Sequence, residues 1–376
     1  MTIPVFRPSY TEEEFQAVRE VMASGWVGLG PKTAEFEKKF AEYLGVKHAV
    51  ALNSGTAALH LAMIVAGLKK GDEVISTPLT FVSTNHAILY VGARPVFADI
   101  EEATANIDPR SVRKRITKKT RAIVCVHYGG RPCKMDELEA IAGEHNLVLI
   151  EDAAHGCGGQ HRGRKLGTIG RLGCFSFHAV KNLATGEGGA LVTNDDAAAA
   201  RLRKLRWLGI SRDTWSRESK TQYSWYYTVE EVGFKYHLSD IPAAIGLVQL
   251  RRLDEMNARR TAWAQRYQEA LAEFAWIQRP VVEPDTRPDW HNYVIQTDHR
   301  DGLNAYLAER GVSTGVHYIP NNHYDMYKKC RGKTPVCERV WKRLLTLPLY
   351  PDLTEEDFGR VVTAIREFGR STGLNG

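Results

Sequence analysis

Short apolar runs alternate with helix-length segments over the first half of the chain, and this alternation most restricts the fold. Apolar runs of strand length occupy residues 48–52, 73–76, 95–98, 122–126, 147–150, 173–177 and 189–193. Strands with few polar residues are typical of sheets buried on both faces, and their alternation with helices is typical of parallel sheets. The sequence therefore predicts an α/β fold with a mostly parallel, mixed sheet between two layers of helices.

Two helices are predicted on either side of the first strand. The first has apolar residues at i, i+4, i+7 and i+8, which lie on one helical face: Phe36, Phe40, Tyr43 and Leu44. The second is an apolar helix that runs on through Leu59, Ala62, Met63 and Ala66, with Gly67 and Gly71 near its end.

The length of 376 residues is enough for two domains. We predict an N-terminal arm at 1–34, a large α/β domain at 35–245 and a smaller C-terminal α+β domain at 246–376. A helix is expected from about residue 239 to 260, near the boundary. The polar and aromatic stretch 211–227 has no clear period and predicts a long surface excursion of the kind that is often functional.

The charge and the apolar content exclude several classes of partner. The chain has 50 basic and 44 acidic residues, a formal charge of +6. This mild excess permits the steering of an anionic substrate but does not argue for a nucleic-acid partner. No apolar run approaches the roughly 20 residues of a membrane helix, and the start lacks the features of a signal peptide. We therefore expect a cytoplasmic protein with no membrane partner.

The six cysteines do not predict a metal site. They include no C-x-x-C pair and no zinc-finger spacing, so we expect free thiols. Nearby histidines add no recognisable set of ligands, and we expect no metal.

The first candidate for chemistry is the segment Asn53-Ser54-Gly55-Thr56, between a buried strand and an apolar helix. The amino end of a helix presents free N–H groups and the positive end of its dipole, which suit a phosphate. An ordinary helix cap would have the same sequence, because serine and threonine are good capping residues. The lysine of a P-loop is missing, so a nucleoside triphosphate is not expected.

The second candidate is the segment Glu151-Asp152-Ala153-Ala154-His155, which follows the strand at 147–150. Ligands of open α/β sheets collect outside the carboxyl ends of the strands. A carboxylate there can hold a proton on a ring nitrogen of a ligand. A simple cap of the strand end is the alternative.

The third candidate is Lys181, which follows an apolar strand and precedes the glycine-rich segment Thr185-Gly-Glu-Gly-Gly189. A lysine in an apolar setting can lose its proton and become a nucleophilic amine. A plain surface lysine is the alternative. Together, a phosphate site, a strand-end aspartate and such a lysine are the parts that pyridoxal phosphate requires.

These and other motifs resemble the DegT-type nucleotide-sugar aminotransferases, which belong to the fold type I pyridoxal-phosphate enzymes. The resemblance covers nearly the whole chain in order. Its motifs lie at residues 30–37, 53–59, 78–85, 126–130, 151–155, 175–182, 185–189, 233–240 and 347–351. It implies a fold type I architecture with the large and small domains given above, and pyridoxal 5'-phosphate as cofactor.

The resemblance also implies roles for individual residues. Lys181 would form the internal aldimine and move protons, and Asp152 would pair with the pyridine nitrogen. Phe81 would stack on the cofactor ring, and His155 would lie against its 3-hydroxyl. The phosphate would be bound by the Ser54–Thr56 segment (Ser54, Gly55, Thr56) and by Ser176.

Further residues are implied at the substrate site and at a subunit interface. Glu187, His317 and His323 would contact the substrate. The family shares its active site across a homodimer, and Lys235 stands where many members place an asparagine that reaches the partner's phosphate. A lysine there can still meet a phosphate as a point charge.

The activity implied is a ping-pong transfer of an amino group from L-glutamate to a keto group of a nucleotide-diphosphate-linked deoxy sugar. The motif Ser-Phe-His-x-x-Lys at 176–181 resembles that of family members which aminate C4 of a 4-keto sugar. The alternatives are an enzyme for C3 keto sugars or for cyclitols, and a non-catalytic regulatory protein of the same fold. Polysaccharide or glycoside biosynthesis is the expected setting.

Overall fold

The computed structural model describes residues 2–211 and 226–374. The predicted surface excursion at 211–227 therefore lies almost entirely outside the described residues. No described helix has both the length and the apolar composition needed to cross a membrane.

Helices are found where the periodicity predicts them, and others occur in the arm and the C-terminal third. Their bounds are α1 Glu12–Ser24, α2 Pro31–Leu44, α3 Gly55–Val65, α4 Val82–Tyr90, α5 Pro109–Arg115, α6 Met135–Glu144, α7 Asp196–Leu205, α8 Asp240–Ala270, α9 Arg300–Glu309, α10 Pro335–Val340 and α11 Glu355–Ser371.

Every apolar run named above overlaps a strand, and short strands occur beyond them. Their bounds are β1 His48–Leu52, β2 Glu73–Ser76, β3 Arg94–Phe97, β4 Thr120–Val126, β5 Val148–Asp152, β6 Gln160–His161, β7 Arg164–Lys165, β8 Leu172–Ser176, β9 Gly189–Thr193, β10 Thr286–Arg287, β11 Tyr293–Gln296 and β12 Leu344–Leu347.

Seven strands form the main sheet in the order β1-β9-β8-β5-β4-β2-β3. The neighbours from β8 to β3 pair in parallel, whereas β9 is antiparallel to both β1 and β8. The predicted α/β fold with a mostly parallel, mixed sheet is thus confirmed. The parallel strands end at one common edge, which is where ligands of such sheets bind.

Helices cover both faces of this sheet because its strands are apolar on both sides. Val50 and Leu52 of β1 face α3, which packs among residues of the same core. The alternate residues of β1 face α2, whose Phe36 and Phe40 are fully buried. Both rings meet Phe177 edge to face, at centroid distances of 5.4 and 5.3 Å. The predicted apolar face of α2 is therefore the one that packs on the sheet.

A second core lies in the C-terminal third, where the antiparallel pair β11–β12 packs with α9 and α11. The start of the chain joins this part through a bridge between Ile3 and Val312. Helix α8 continues to Ala270 rather than ending near residue 260, because Ala264 and Tyr267 are buried in this second core. The helix runs without a break through the predicted boundary at 245, and the division into domains stays a prediction.

A buried carboxylate joins the N-terminal segment to α8. Asp240, the first residue of α8, is 1% exposed. Its oxygens accept hydrogen bonds from the backbone N–H groups of Gly30, Lys32 and Thr33 at 2.9–3.0 Å, and from the Thr33 hydroxyl at 2.8 Å. One side chain thereby satisfies N–H groups at the start of α2 that no helical carbonyl can reach.

We expect Asp240→Ala to lower the free energy of unfolding by about 3 kcal/mol, because several buried donors lose a charged acceptor. Asp301→Ala is the control, since that side chain is 86% exposed. Its effect should stay below about 0.5 kcal/mol. Urea unfolding followed by tryptophan fluorescence measures both, and equal midpoints for the two variants would contradict the assignment.

Candidate active site

A cavity of about 350 Å³ opens where the carboxyl ends of β4, β5 and β8 meet the amino end of α3. Ten of the residues predicted for the site line it: Ser54, Gly55, Thr56, Phe81, Asp152, His155, Ser176, Lys181, Glu187 and His317. These residues are up to 263 positions apart in the chain. The parallel strands bring them together because their carboxyl ends share one edge.

Lys181 lies in the connection between β8 and β9. A turn fixes its backbone, in which the Lys181 N–H donates to the His178 carbonyl at 2.8 Å. Burial lowers the pKa of the Lys181 amine to about 8, while the charges of Asp152 and Asp289 act in the opposite direction. A neutral, nucleophilic amine is therefore accessible near physiological pH.

Asp152 is the last residue of β5 and is 4% exposed. Its Oδ2 accepts a hydrogen bond from the Thr84 hydroxyl at 2.7 Å, and its Oδ1 accepts one from the Ala154 N–H at 3.2 Å. Since the single proton of Thr84 goes to Asp152, the Thr80 hydroxyl at 2.8 Å must donate to Thr84. Burial raises the pKa of Asp152, and these bonds oppose the rise.

The amino end of α3 forms the opposite end of the cavity. The Ser54 hydroxyl accepts from the Ala57 N–H at 3.0 Å and caps the helix. The N–H groups of Gly55 and Thr56 have no helical acceptor and remain for a ligand. A Cβ on Gly55 would lie 2.9 Å from the Cβ of Ser176, so only glycine lets β8 approach this closely. The Ser54 side chain thus makes the helix cap, and the predicted phosphate contact of Gly55 and Thr56 stays a prediction.

Three hydroxyls lie beside these N–H groups. The Thr56 and Ser83 hydroxyls are 2.8 Å apart, and the Ser176 hydroxyl lines the same part of the cavity. An anion placed there would meet hydroxyl donors, two backbone N–H groups and the positive end of the helix dipole.

A pair of rings closes one wall. The Gly129 N–H donates to Nδ1 of His155 at 3.3 Å, so a neutral His155 carries its proton on Nε2. Nε2 lies 3.1 Å from the Tyr318 hydroxyl and donates to it, which leaves the hydroxyl proton of Tyr318 free to point elsewhere. Burial and the charge of Lys181 lower the pKa of His155 well below its usual range, in agreement with a neutral ring.

His317 lies in the same wall and is also neutral. Its Nδ1 is 2.8 Å from the Thr346 hydroxyl, and its ring meets that of Phe6 at 5.5 Å. Burial lowers the pKa of His317 to about 4. The ring can therefore accept or donate one hydrogen bond near pH 7 but carries no charge.

Phe81 lies at the mouth of the cavity and is 57% exposed. Its ring is 5.8 Å from that of Tyr318. An exposed phenylalanine at the start of α4 is not part of the protein core. Its position suits a residue that covers a flat ring in the cavity.

Two predicted site residues lie outside this cavity. His323 places Nε2 2.8 Å from the Glu338 carboxylate and packs against Trp341. The Lys235 ammonium lies 3.4 Å from the centre of the Trp207 ring. Within one chain neither residue reaches the other ten, and their predicted roles stay predictions.

Some residues of the site carry no role in the sequence prediction. Thr80, Ser83 and Thr84 belong to the motif at 78–85, and their spacing along the start of α4 was the signal that they share a face. Tyr318 follows a predicted residue directly, but nothing in the sequence indicates its bond to His155. His178, which lines the cavity 3.8 Å from the Glu187 carboxylate, has no chemical role in the prediction.

Comparison with known proteins identifies the family. The model of the DegT/DnrJ/EryC1/StrS aminotransferase family matches residues 8–366. The chain belongs to this family. It is 44% identical to the spore coat polysaccharide biosynthesis protein SpsC of Bacillus subtilis, over 97% of this chain and 96% of that protein.

Solved structures agree with this assignment. The aminotransferase TlmJ from Streptoalloteichus hindustanus is 36% identical, with a TM-score of 0.93 over 99% of this chain and 100% of that one. The pyridoxal-phosphate form of Spr1654 from Streptococcus pneumoniae is 28% identical, with a TM-score of 0.91 over 99% of both chains. The predictions of the family, of an aminotransferase and of fold type I architecture are confirmed.

Pyridoxal phosphate is the cofactor of this family, and the residues present fit it. The donor set at the start of α3 suits the phosphate, and the close approach that Gly55 permits keeps the set together. Asp152 would offer a buried, oriented carboxylate to the ring nitrogen. Lys181 would supply the primary amine that binds the aldehyde covalently.

The lowered pKa of Lys181 predicts how the apoenzyme takes up the cofactor. The amine reacts only when neutral, so the association rate with pyridoxal phosphate should rise about tenfold per pH unit below pH 8 and level off above it. Stopped-flow absorbance of the apoenzyme measures this rate. Since the charge of Asp152 raises the pKa, Asp152→Asn should move the plateau to lower pH. A rate that still rises toward pH 10 would contradict the burial of the amine.

Proposed function

We propose that this enzyme transfers an amino group from L-glutamate to the C4 keto group of a nucleotide-diphosphate-linked deoxy sugar, in two successive half-reactions. The observation that carries the proposal is the half-buried Lys181, which shares a cavity with the Asp152 carboxylate and the free N–H groups of α3. Transamination needs these three functions together, whereas a binding protein of the same fold has no use for a reactive amine.

Lys181 moves the proton in both half-reactions. With a pKa of about 8, its amine is half protonated near pH 8 and still partly neutral at pH 7, so it can accept a proton and return it. Burial keeps bulk water from competing for that proton. The turn to the His178 carbonyl holds the start of the side chain in place while its long stem swings.

The other residues bind and orient. Pyridoxal phosphate, when bound, supplies the electron sink that stabilises a carbanion of the substrate. Asp152 holds a proton on the ring nitrogen through a charged hydrogen bond, and Thr84 keeps the carboxylate pointed into the cavity. The Tyr318 hydroxyl, whose oxygen is occupied by His155, can donate into the cavity.

The acceptor is assigned by class from several features. The spelling Ser-Phe-His-x-x-Lys supports C4, and Glu187 and His317 line the cavity where a sugar can meet them. The relative SpsC is a polysaccharide biosynthesis protein, which supports a carbohydrate acceptor. The contact of His323 with the substrate, which the sequence predicts, stays part of this proposal.

We also propose that the enzyme is a cytoplasmic homodimer with shared active sites. Lys235 supports this assembly because its ammonium lies outside its own cavity, on the face of Trp207. There it can extend toward the phosphate site of a second copy.

The first test is the visible spectrum of the holoenzyme before and after L-glutamate. We expect a yellow band that bleaches with glutamate and is missing in Lys181→Ala. Lys165→Ala is the matched control, because this lysine is also partly buried but stacks on Tyr43 outside the cavity. A band that glutamate leaves unchanged overturns the donor. A protein that stays colourless with added cofactor favours the regulatory alternative.

The second test supplies acceptors to the aminated enzyme. We expect the yellow band to return with nucleotide-linked 4-keto sugars and to return at least tenfold more slowly with 3-keto sugars, because only correct placement of the ketone completes the reaction. The same sugars without the nucleotide, and keto cyclitols, are the comparison compounds. Faster recovery with free keto cyclitols would replace the sugar proposal by the cyclitol alternative.

A further inference from the structure

The positive charge of this chain is concentrated at one edge of the molecule. Four segments, 69–73, 92–94, 113–121 and 325–333, meet at the amino ends of β2, β3 and β4 and along the edge of β3. With Glu144, which pairs with Arg113, they hold thirteen basic and four acidic side chains, a formal charge of +9. The whole chain carries +6. We call this surface the basic face.

Backbone hydrogen bonds fix the four segments side by side. The Gly71 N–H donates to the Gly92 carbonyl at 3.2 Å, and the Glu73 N–H donates to the Lys119 carbonyl at 2.9 Å. The Phe97 N–H donates to the Arg331 carbonyl at 2.8 Å, which adds the last segment along the edge strand β3. The basic face is therefore a consequence of the fold and not of flexible side chains alone.

The arginines of the basic face are mostly used to hold it together. Arg331 Nη2 lies 2.9 Å from Glu73 Oε2, and Arg115 Nη2 donates to the Lys333 carbonyl at 2.7 Å. Arg121 donates to two backbone carbonyls of its own segment. These guanidinium groups therefore donate their hydrogen bonds to partners within the protein.

The lysines remain available to a partner. Eight exposed cations of the basic face make no ion pair or side-chain hydrogen bond within residues 2–211 and 226–374: Lys69, Lys70, Arg94, Lys114, Lys118, Lys119, Lys329 and Lys333. Seven of the eight are lysines, which act as flexible point charges without the fork geometry of arginine. Such charges suit a fluid array of anions better than the fixed phosphates and bases of a nucleic acid.

Two exposed side chains beside the lysines favour a lipid surface. Tyr324 is 39% exposed and Met326 is 57% exposed, and both precede the basic pair at 328–329. Aromatic and apolar side chains next to basic ones are typical of surfaces that rest in the headgroup region of a bilayer.

We propose that the basic face binds anionic lipid headgroups and holds the enzyme at a membrane surface without inserting a helix. The prediction of no membrane partner rests on the lack of a membrane-spanning apolar run, which does not bear on binding at a membrane surface. The residues of the basic face do not line the active-site cavity, which opens at the carboxyl ends of the strands. Binding would therefore leave the cavity open to substrates from solution.

Sedimentation of the holoenzyme with vesicles tests the proposal. We expect binding to vesicles of phosphatidylglycerol mixed with phosphatidylcholine, and none to pure phosphatidylcholine. Binding should be lost near 1 M salt, where the screening length falls to about 3 Å. No binding to the anionic vesicles at low salt, or binding that high salt leaves unchanged, overturns the proposal.

Charge-reversal variants test whether the vesicles bind at the basic face. Lys118→Glu/Lys119→Glu/Lys329→Glu should weaken vesicle binding by about 100-fold or more, at about fivefold for each basic side chain near an anionic surface. The control Lys38→Glu/Lys39→Glu/Lys47→Glu makes the same change of charge at the opposite edge of the sheet and should keep binding within a few-fold. Equal losses in the two triple variants contradict a localised site. Both should keep their transaminase activity in solution, since neither set lines the cavity.

Two further measurements separate lipid from other polyanions. Met326→Ala should weaken vesicle binding and leave its salt dependence unchanged, because it removes apolar contact and no charge. Binding of duplex DNA at least as tight as that of anionic vesicles would assign the basic face to nucleic acid and overturn the proposal.

Discussion

Lys181 and Asp152 carry opposite charges in one cavity, and the rest of the site is arranged around them. Burial alone favours the neutral form of both groups, lowering the pKa of the amine and raising that of the acid. Each charge opposes this effect on the other. The result is an amine that changes its protonation state near pH 8, beside a carboxylate whose orientation is fixed by Thr84. A surface lysine could not be tuned in this way, because water would screen the partner.

The antiparallel strand β9 gives Lys181 its position. Since β9 returns beside β8, the chain between them forms a loop at the carboxyl edge of the sheet, held by the Phe177 N–H to the Gly188 carbonyl at 2.8 Å. A Cβ on Gly189 would lie 2.5 Å from the backbone of Ser54. The start of β9 therefore touches the start of α3, which sets the distance between the reactive amine and the phosphate end.

Much of this arrangement could be predicted because it depends on local patterns. Apolar runs indicate the strands, and the polar residues near their carboxyl ends, among them Asp152 and Lys181, indicate the side chains of the site. The bond between His155 and Tyr318 could not be predicted, because it joins segments more than 160 residues apart through one hydroxyl. The order of the strands in the sheet could not be predicted either, because the length of a connection does not determine which strands become neighbours. The basic face could not be predicted for the same reason, because the net charge of a chain does not indicate which distant segments lie side by side.

Helix α8 touches three separate parts of the molecule along its length. Asp240 at its start holds the beginning of α2, and Asn257 accepts from Asn182, the residue after Lys181, at 2.9 Å. Tyr267 lies almost three helical turns beyond Asn257 and belongs to the second core. A single added residue between positions 240 and 257 would shift one contact from the other by about 1.5 Å and rotate it by about 100°. The length of this stretch is thus as restricted as the identity of its residues, and natural variation in length should be confined to the loops on either side of it.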